Sequence, residues 1–152
     1  MGDTYVSDAV DAQGVTLRVS ADDGTSYIEI KEVKSFSAIG AGSASVKDVT
    51  HLKSAAKEKR LGLKDEGEIS LSGNYLPLDP GQLVLKENSS TNKVLKMQIE
   101  FDDAATESGD GTKFEFDFLV NPFQKPGAEV DGILEFSATL VVTGLIAESA
   151  AS

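Results

Sequence analysis

The sequence predicts a mainly β domain, an antiparallel β-sandwich or half-barrel with one short flanking α-helix and a long loop. Three observations carry this. Apolar and polar residues alternate with period two along most of the chain. Clusters of Gly, Asp, Ser and Pro separate the alternating runs. One stretch alone combines helix-capping signals with helix-forming residues of the right length.

The elements follow in order. Val15, Leu17 and Val19 alternate with Thr16 and Arg18, so one face of a first strand is apolar. Asp22-Asp23-Gly24 reads as a hairpin turn. Residues 27–36 (YIEIKEVKSF) begin with Ile28 and Ile30 in phase, and the phase slips at Val33, which suggests a bulge. Ile69, Leu71 and Tyr75 alternate with Ser70, Ser72 and Asn74 after the turn Asp65-Glu66-Gly67. Asp79 can cap a helix, Pro80 suits its first position, and residues 81–88 (GQLVLKEN) continue it. Leu83 and Val84 are expected to pack that helix on the sheet. Leu95, Met97, Ile99 and Phe101 form the next strand. Ser108-Gly109-Asp110-Gly111 turns the chain into Phe114, Phe116, Phe118 and Val120, which Pro122 and Lys125-Pro126-Gly127 are expected to end. Leu134, Phe136, Ala138, Leu140 and Val142 make the last strand, and residues 146–152 read as a frayed tail. That is about six strands.

Residues 40–64 do not fit this pattern. Ala41 to Ser45 are small, residues 52–60 (LKSAAKEKR) contain good helix formers, and no strand alternation is strong. Long loops in compact domains tend to be functional or to need a partner. Residues 1–152 are expected to form one domain, with this loop spanning about 40–66.

Composition narrows the function. Cysteine is absent and histidine occurs once, which removes thiolate chemistry, disulfides and Cys- or His-rich metal sites within the chain. The chain holds 25 acids and 14 bases, a net charge of −11, the wrong sign for bulk nucleic-acid binding or an anionic membrane. No apolar run approaches the roughly 20 residues that span a bilayer. The charge is uneven. Residues 1–30 are net −5, residues 31–66 net +3 and residues 67–152 net −9. Lys47, Lys53, Lys57, Lys59, Arg60 and Lys64 make most of the basic block. Such a block can pair with another copy of an acidic protein, or it can be a solvated face.

Catalytic motifs are missing. No Gly-x-Ser-x-Gly, Walker-type loop, His-Glu-x-x-His or Gly-x-Gly-x-x-Gly occurs. His51 sits in a basic, polar stretch and reads as a surface or interface residue. Asp22-Asp23 and Asp102-Asp103 lack the spacing of a calcium loop and read as solvated turns. The stripe Phe114, Phe116, Phe118 reads as core, because Glu115 and Asp117 make the other face polar. No cofactor, metal or catalytic residue is assigned.

From residue 47 to 75 (KDVTHLKSAAKEKRLGLKDEGEISLSGNY) the sequence resembles the tail tube proteins of long-tailed, non-contractile bacteriophages. Residues 30–37 (IKEVKSFS) resemble the family's early strand. Asp48-Val49-Thr50 with Leu52 and Ser54 resembles its loop. Gly62-Leu63-Lys64-Asp65-Glu66-Gly67, then Ile69, Leu71 and Asn74-Tyr75, resemble the start of its central strand. Asp79-Pro80-Gly81-Gln82 resembles the start of its helix, and Val142-Thr143-Gly144 its closing strand. The resemblance covers most of residues 15–145, in a specific order.

The resemblance implies a virion structural protein, not an enzyme. Its copies would form hexameric rings that stack into a hollow tube conducting DNA during ejection. The long loop would reorder on stacking, and no appended immunoglobulin-like domain is expected. Implied partners are other copies, a tape measure protein and DNA in the lumen, and a tail terminator and distal tail protein at the ends, with no membrane. The chain would be made in the host cytoplasm and reside in the virion tail. Combined with the alternation, the resemblance makes Glu100, Glu115, Asp117 and Glu135 candidate lumen-lining residues. Lys53, Lys57, Lys59 and Arg60 become candidates for contacts between subunits or rings. Two rivals remain at this stage: a tube subunit of a contractile tail or secretion-type machine, and a monomeric β-sandwich binding module.

Overall fold

The computed structural model describes residues 14–103, 109–127, 130 and 132–150. Within them the chain forms β1 (Thr16–Ser20), β2 (Ile28–Glu29), β3 (Val33–Phe36), β4 (Ala44–Asp48), β5 (Lys59–Lys64), β6 (Glu68–Asn74), α1 (Pro80–Glu87), β7 (Leu95–Glu100), β8 (Lys113–Gln124) and β9 (Glu135–Ser149). Seven strands make one antiparallel sheet in the order β2-β1-β7-β8-β9-β6-β3, and β4 and β5 make a separate pair.

The order explains the shape. β2 and β3 are adjacent in the chain, yet they lie at opposite edges of the sheet. Residues 30–32 bridge those edges, so the sheet must curl until they approach one another. The result is a half-barrel whose inner face is the core. Glu32 takes the left-handed conformation (φ 56°) at the crossing, and the register slips between Val33 and Ser35. The phase break expected at Val33 is therefore both a bulge and a change of edge.

Alternation fills the interior as expected. Leu17 and Val19, Leu95, Met97 and Ile99, Phe116, Phe118 and Val120, Phe136, Ala138 and Leu140 are all buried. Phe123 and Phe136 stack with ring centres 5.3 Å apart. Leu134 does not join them; it is exposed and lies before β9 begins.

Three boundaries differ from expectation. β8 continues through Pro122 to Gln124, because the register with β9 shifts between Val120 and Phe123. A bulge frees the proline from donating to the ladder. Of the tail read as frayed, Ile146 to Ser149 instead belong to β9, with Glu115 opposite Ala147 and Lys113 opposite Ser149, while Ala151 and Ser152 lie outside the described residues. Gly144 (φ 83°) lets β9 shift register just before this extension. Residues 40–64 contain two strands rather than a loop with helical character. Ser108 and Met1 to Gln13 lie outside the described residues.

α1 starts where expected. The Asp79 carboxylate accepts the Gln82 amide hydrogen (3.1 Å) at its N-terminus, and Pro80 follows. The same carboxylate oxygen accepts from the Lys31 amide at 3.2 Å. The fully buried face is Gly81, Gln82 and Leu85; Val84 is partly buried against the core as expected, and Leu83 is not among the core contacts. Gly81 lies against β2, where a Cβ would sit 2.5 Å from the Glu29 carbonyl oxygen. The Gln82 amide donates to the Lys31 and Asn74 carbonyls and accepts from the Leu76 amide. The helix thus clamps the point where the two sheet edges meet.

Candidate assembly surface

Two surfaces hold the residues singled out by sequence. The first is the arm formed by β4 and β5. Val46 stands opposite Leu61, Lys47 opposite Arg60 and Asp48 opposite Lys59. Neither strand pairs with the seven-stranded sheet. The arm is held at its root, where the Gly42 amide donates to the Glu66 carbonyl and the Asp65 amide to the Ser43 carbonyl. The two chain segments pass so closely there that a Cβ on Gly42 would lie 1.8 Å from the Asp65 carbonyl oxygen. Lys64 reaches the buried Glu66 at 2.9 Å.

Beyond the root the arm is exposed almost throughout. Residues 44–64 hold six bases and two acids, a net +4 on a chain of −11. Lys53, Lys57, Lys59 and Arg60 are exposed and form no ion pair among the described residues. They are brought together on one hairpin, Lys53 and Lys57 in its turn and Lys59 and Arg60 on β5. Sequence reading missed the apolar half of this surface: Val46, Leu61 and Leu63 are 62%, 73% and 94% exposed, and Leu52 in the turn is fully so. The signal was present in Leu61 and Leu63, two apart and flanked by cations. A two-stranded hairpin is marginal by itself in water, so these side chains mark a surface that calls for a cover.

His51 sits in the arm's turn. Its Nε2 lies 3.3 Å from Glu58, and its Nδ1 accepts from the Lys53 amide. The Ser54 hydroxyl donates to Glu58, not to the imidazole. That geometry orders a turn and presents no activated nucleophile. Among the described residues no three His, Asp or Glu side chains are grouped for a metal ion. No helix among the described residues is long and apolar enough to cross a membrane.

The second surface is the polar face of the sheet. All four acids expected to line a lumen lie on it, and each has a partner. Arg18 donates to Gln98 (3.0 Å) and to Glu100 (3.1 Å). Gln98 donates to Glu115 at 3.0 Å. Lys96 bonds Asp117 at 2.9 Å, and this contact holds the Lys96 ammonium above its ordinary range. Lys34 reaches Glu135 at 2.7 Å. By register the outward positions carry Glu29, Glu68, Glu100, Glu115, Asp117 and Glu135 against Arg18, Lys34, Lys96 and Lys113, a net of −2. The acid excess of residues 67–152 is therefore only partly on this face; Glu87 lies on α1, and Asp102, Asp103 and Asp110 lie in loops. Toward β3, β6 and β9 the outward side chains become hydroxyls. Ser35 and Ser72 share a 2.7 Å hydrogen bond, beside Ser137, Ser70 and Thr139.

At the β1–β2 turn the Asp22 carboxylate accepts from the Ser20 and Ser26 hydroxyls, each at 2.6 Å. These bonds pull its pKa down from 3.8 to about 2.

The overall fold is shared with solved structures of known assemblies. The chain is similar to the SPP1 tail tube, with a TM-score of 0.72 and 14% identity over 93% of this chain and 80% of that one. The fold is a tail-tube fold. A tail subunit of the empty gene transfer agent particle matches with a TM-score of 0.68 and 16% identity over 93% of this chain and all of that one. The sheath/tube terminator structure of an extracellular contractile injection system, PVC, matches with a TM-score of 0.69 and 14% identity over 96% of this chain and all of that one. No protein-family model matches the chain, and no curated protein matches it in sequence.

Proposed function

We propose that the chain is the tube subunit of a phage-like tail, with copies forming hexameric rings that stack into a hollow conduit for DNA. The observation that carries this is the arm. A hairpin with exposed leucines and four uncompensated cations extends from an otherwise acidic body. Such a hairpin suits a neighbour of the same kind, whose body is anionic. Six-fold rings agree with the gene transfer agent tail, which has C6 symmetry.

The polar sheet face suits a lumen. Glu100, Glu115, Asp117 and Glu135 present carboxylates, Glu115 bonded by the neutral Gln98 and the other three holding Arg18, Lys96 and Lys34 in short ion pairs. A polyanion passing such a wall meets few free cations and no net attraction. Other copies, a tape measure protein and DNA are the partners inside the tube. A terminator and a distal tail protein close its ends, and the location is the virion tail.

A second reading is supported by the comparisons themselves. The contractile PVC structure matches about as well as the SPP1 tail tube, so the fold fits a contractile system equally. A sheath-binding outer surface would separate the two. Sedimentation velocity on the purified chain tests the shared reading: it should reveal hexamers or larger polymers, and a monomer at every concentration would refute it.

A further inference from the structure

The half-barrel leaves an open seam. Among the described residues β3 pairs only with β6, and β1 meets β2 at Arg18 and Val19, with the Ile30 amide donating to the Leu17 carbonyl just beyond. Between them lies a cleft of about 280 Å³, lined by Val15, Leu17, Val33, Lys34, Ser35 and Phe36. Val15, Val33 and Phe36 are partly buried and form the rim of the core. Among the described residues the outer edge of β3 has no neighbouring strand. Such an edge accepts an added strand through its free amides and carbonyls.

β5 has the form of that strand. One of its edges pairs with β4, and the other has no neighbour among the described residues. Leu61 and Leu63 are both exposed, and the register against β4 shifts between Leu61 and Lys64, a bulge at Gly62 and Leu63 that breaks the two-residue alternation. They are bracketed by Lys59, Arg60 and Lys64. The β1 end of the cleft is acidic. Asp102 lies against Gly14, Glu100 stands opposite Thr16, and Asp103 follows. The cleft's one lining base, Lys34, is already engaged by Glu135. Within one chain the two leucines remain exposed, so the arm does not fill its own cleft.

We infer that the cleft between β1 and β3 is the docking site for β5 of a second copy of this chain. Leu63 enters it, and Lys59 and Arg60 bring unpaired positive charge to the Asp102 end. The inference rests on the tube reading and names the acceptor surface for its arm.

The chain has no cysteine, so directed disulfides give a clean test. Phe36→Cys and Leu63→Cys proteins are mixed, assembled and oxidised, with wild type assembled alongside. A disulfide needs Cα atoms within about 7 Å, so only docking brings the two sites together. The expected product is a covalent dimer containing one copy of each variant, absent when either is oxidised alone. Wild-type tubes with no mixed dimer would overturn the docking site and leave the tube reading standing. Absence of wild-type assembly would overturn both. A second variant, Leu61→Ser with Leu63→Ser, changes only exposed side chains. It should keep the wild-type melting curve and lose assembly, and normal assembly by it would also overturn the inference.

Discussion

Replacing Lys57, Lys59 and Arg60 together by Glu probes the arm without touching the core. The three side chains are exposed and make no ion pair among the described residues. Surface changes of this kind alter folding stability by about 0.5 kcal/mol or less, so the melting curve should stay in place. Each reversal changes the charge by two, and the arm goes from net +4 to net −2. An exposed ion pair is worth roughly 0–1 kcal/mol. Losing three such contacts and meeting like charges instead should cost about 1–3 kcal/mol per docked arm. That corresponds to a rise of roughly 5–150-fold in the critical concentration for assembly. Screening lengths fall from about 10 Å at 0.1 M salt to about 3 Å at 1 M, so the defect should shrink as salt is added. Light scattering against concentration at low and high salt measures this, with circular dichroism confirming the fold. An unchanged critical concentration at low salt would show that the arm is merely solvated and would refute the electrostatic reasoning.

Other outcomes follow from single contacts. Leu85→Ala removes the fully buried anchor of α1 and should cost about 2–5 kcal/mol in a urea titration; a loss under about 1 kcal/mol would mean that α1 is not clamped by packing. Asp22 should titrate by NMR with a midpoint of about 2, against 3.8 for a free carboxyl. Because the folded value is the lower one, its stabilising effect is full above 3.8 and disappears as the pH falls through about 2; Ser26→Ala should raise the midpoint. Converting Glu115 and Asp117 to Lys leaves Gln98 without its acceptor and sets a second cation beside Lys96. Tubes of that variant should still form, and they should retain double-stranded DNA in a pelleting assay where wild-type tubes retain none.

Much of the fold was legible because burial here follows a two-residue period. Met97, Phe116, Phe118 and Leu140 are interior residues that alternation alone identifies. The Asp79-Pro80 cap was equally local and was found. The failures were non-local. Leu85 rather than Leu83 anchors the helix because Gly81 sets α1 tightly against β2, a contact with no signature in the helix itself. The tail pairs with β8 because a register shift near Gly144 realigns it. The arm hid its strands because β4 and β5 face no core and so carry no in–out alternation. Its cations were visible as a charge block, whereas the exposed Leu61 and Leu63 resembled ordinary core residues. Glu100, Glu115, Asp117 and Glu135 share the polar face, but their engagement by Arg18, Gln98, Lys96 and Lys34 depends on strand order. That order, with β2 and β3 parted to opposite edges, is not written in any single segment.

Electron microscopy of the purified chain in negative stain, concentrated and incubated to allow growth, bears most directly on the claim that this is a tube subunit. The account expects hollow, unbranched tubes of uniform width, or six-fold rings seen end-on. A field of single, compact particles at every concentration and salt would contradict it.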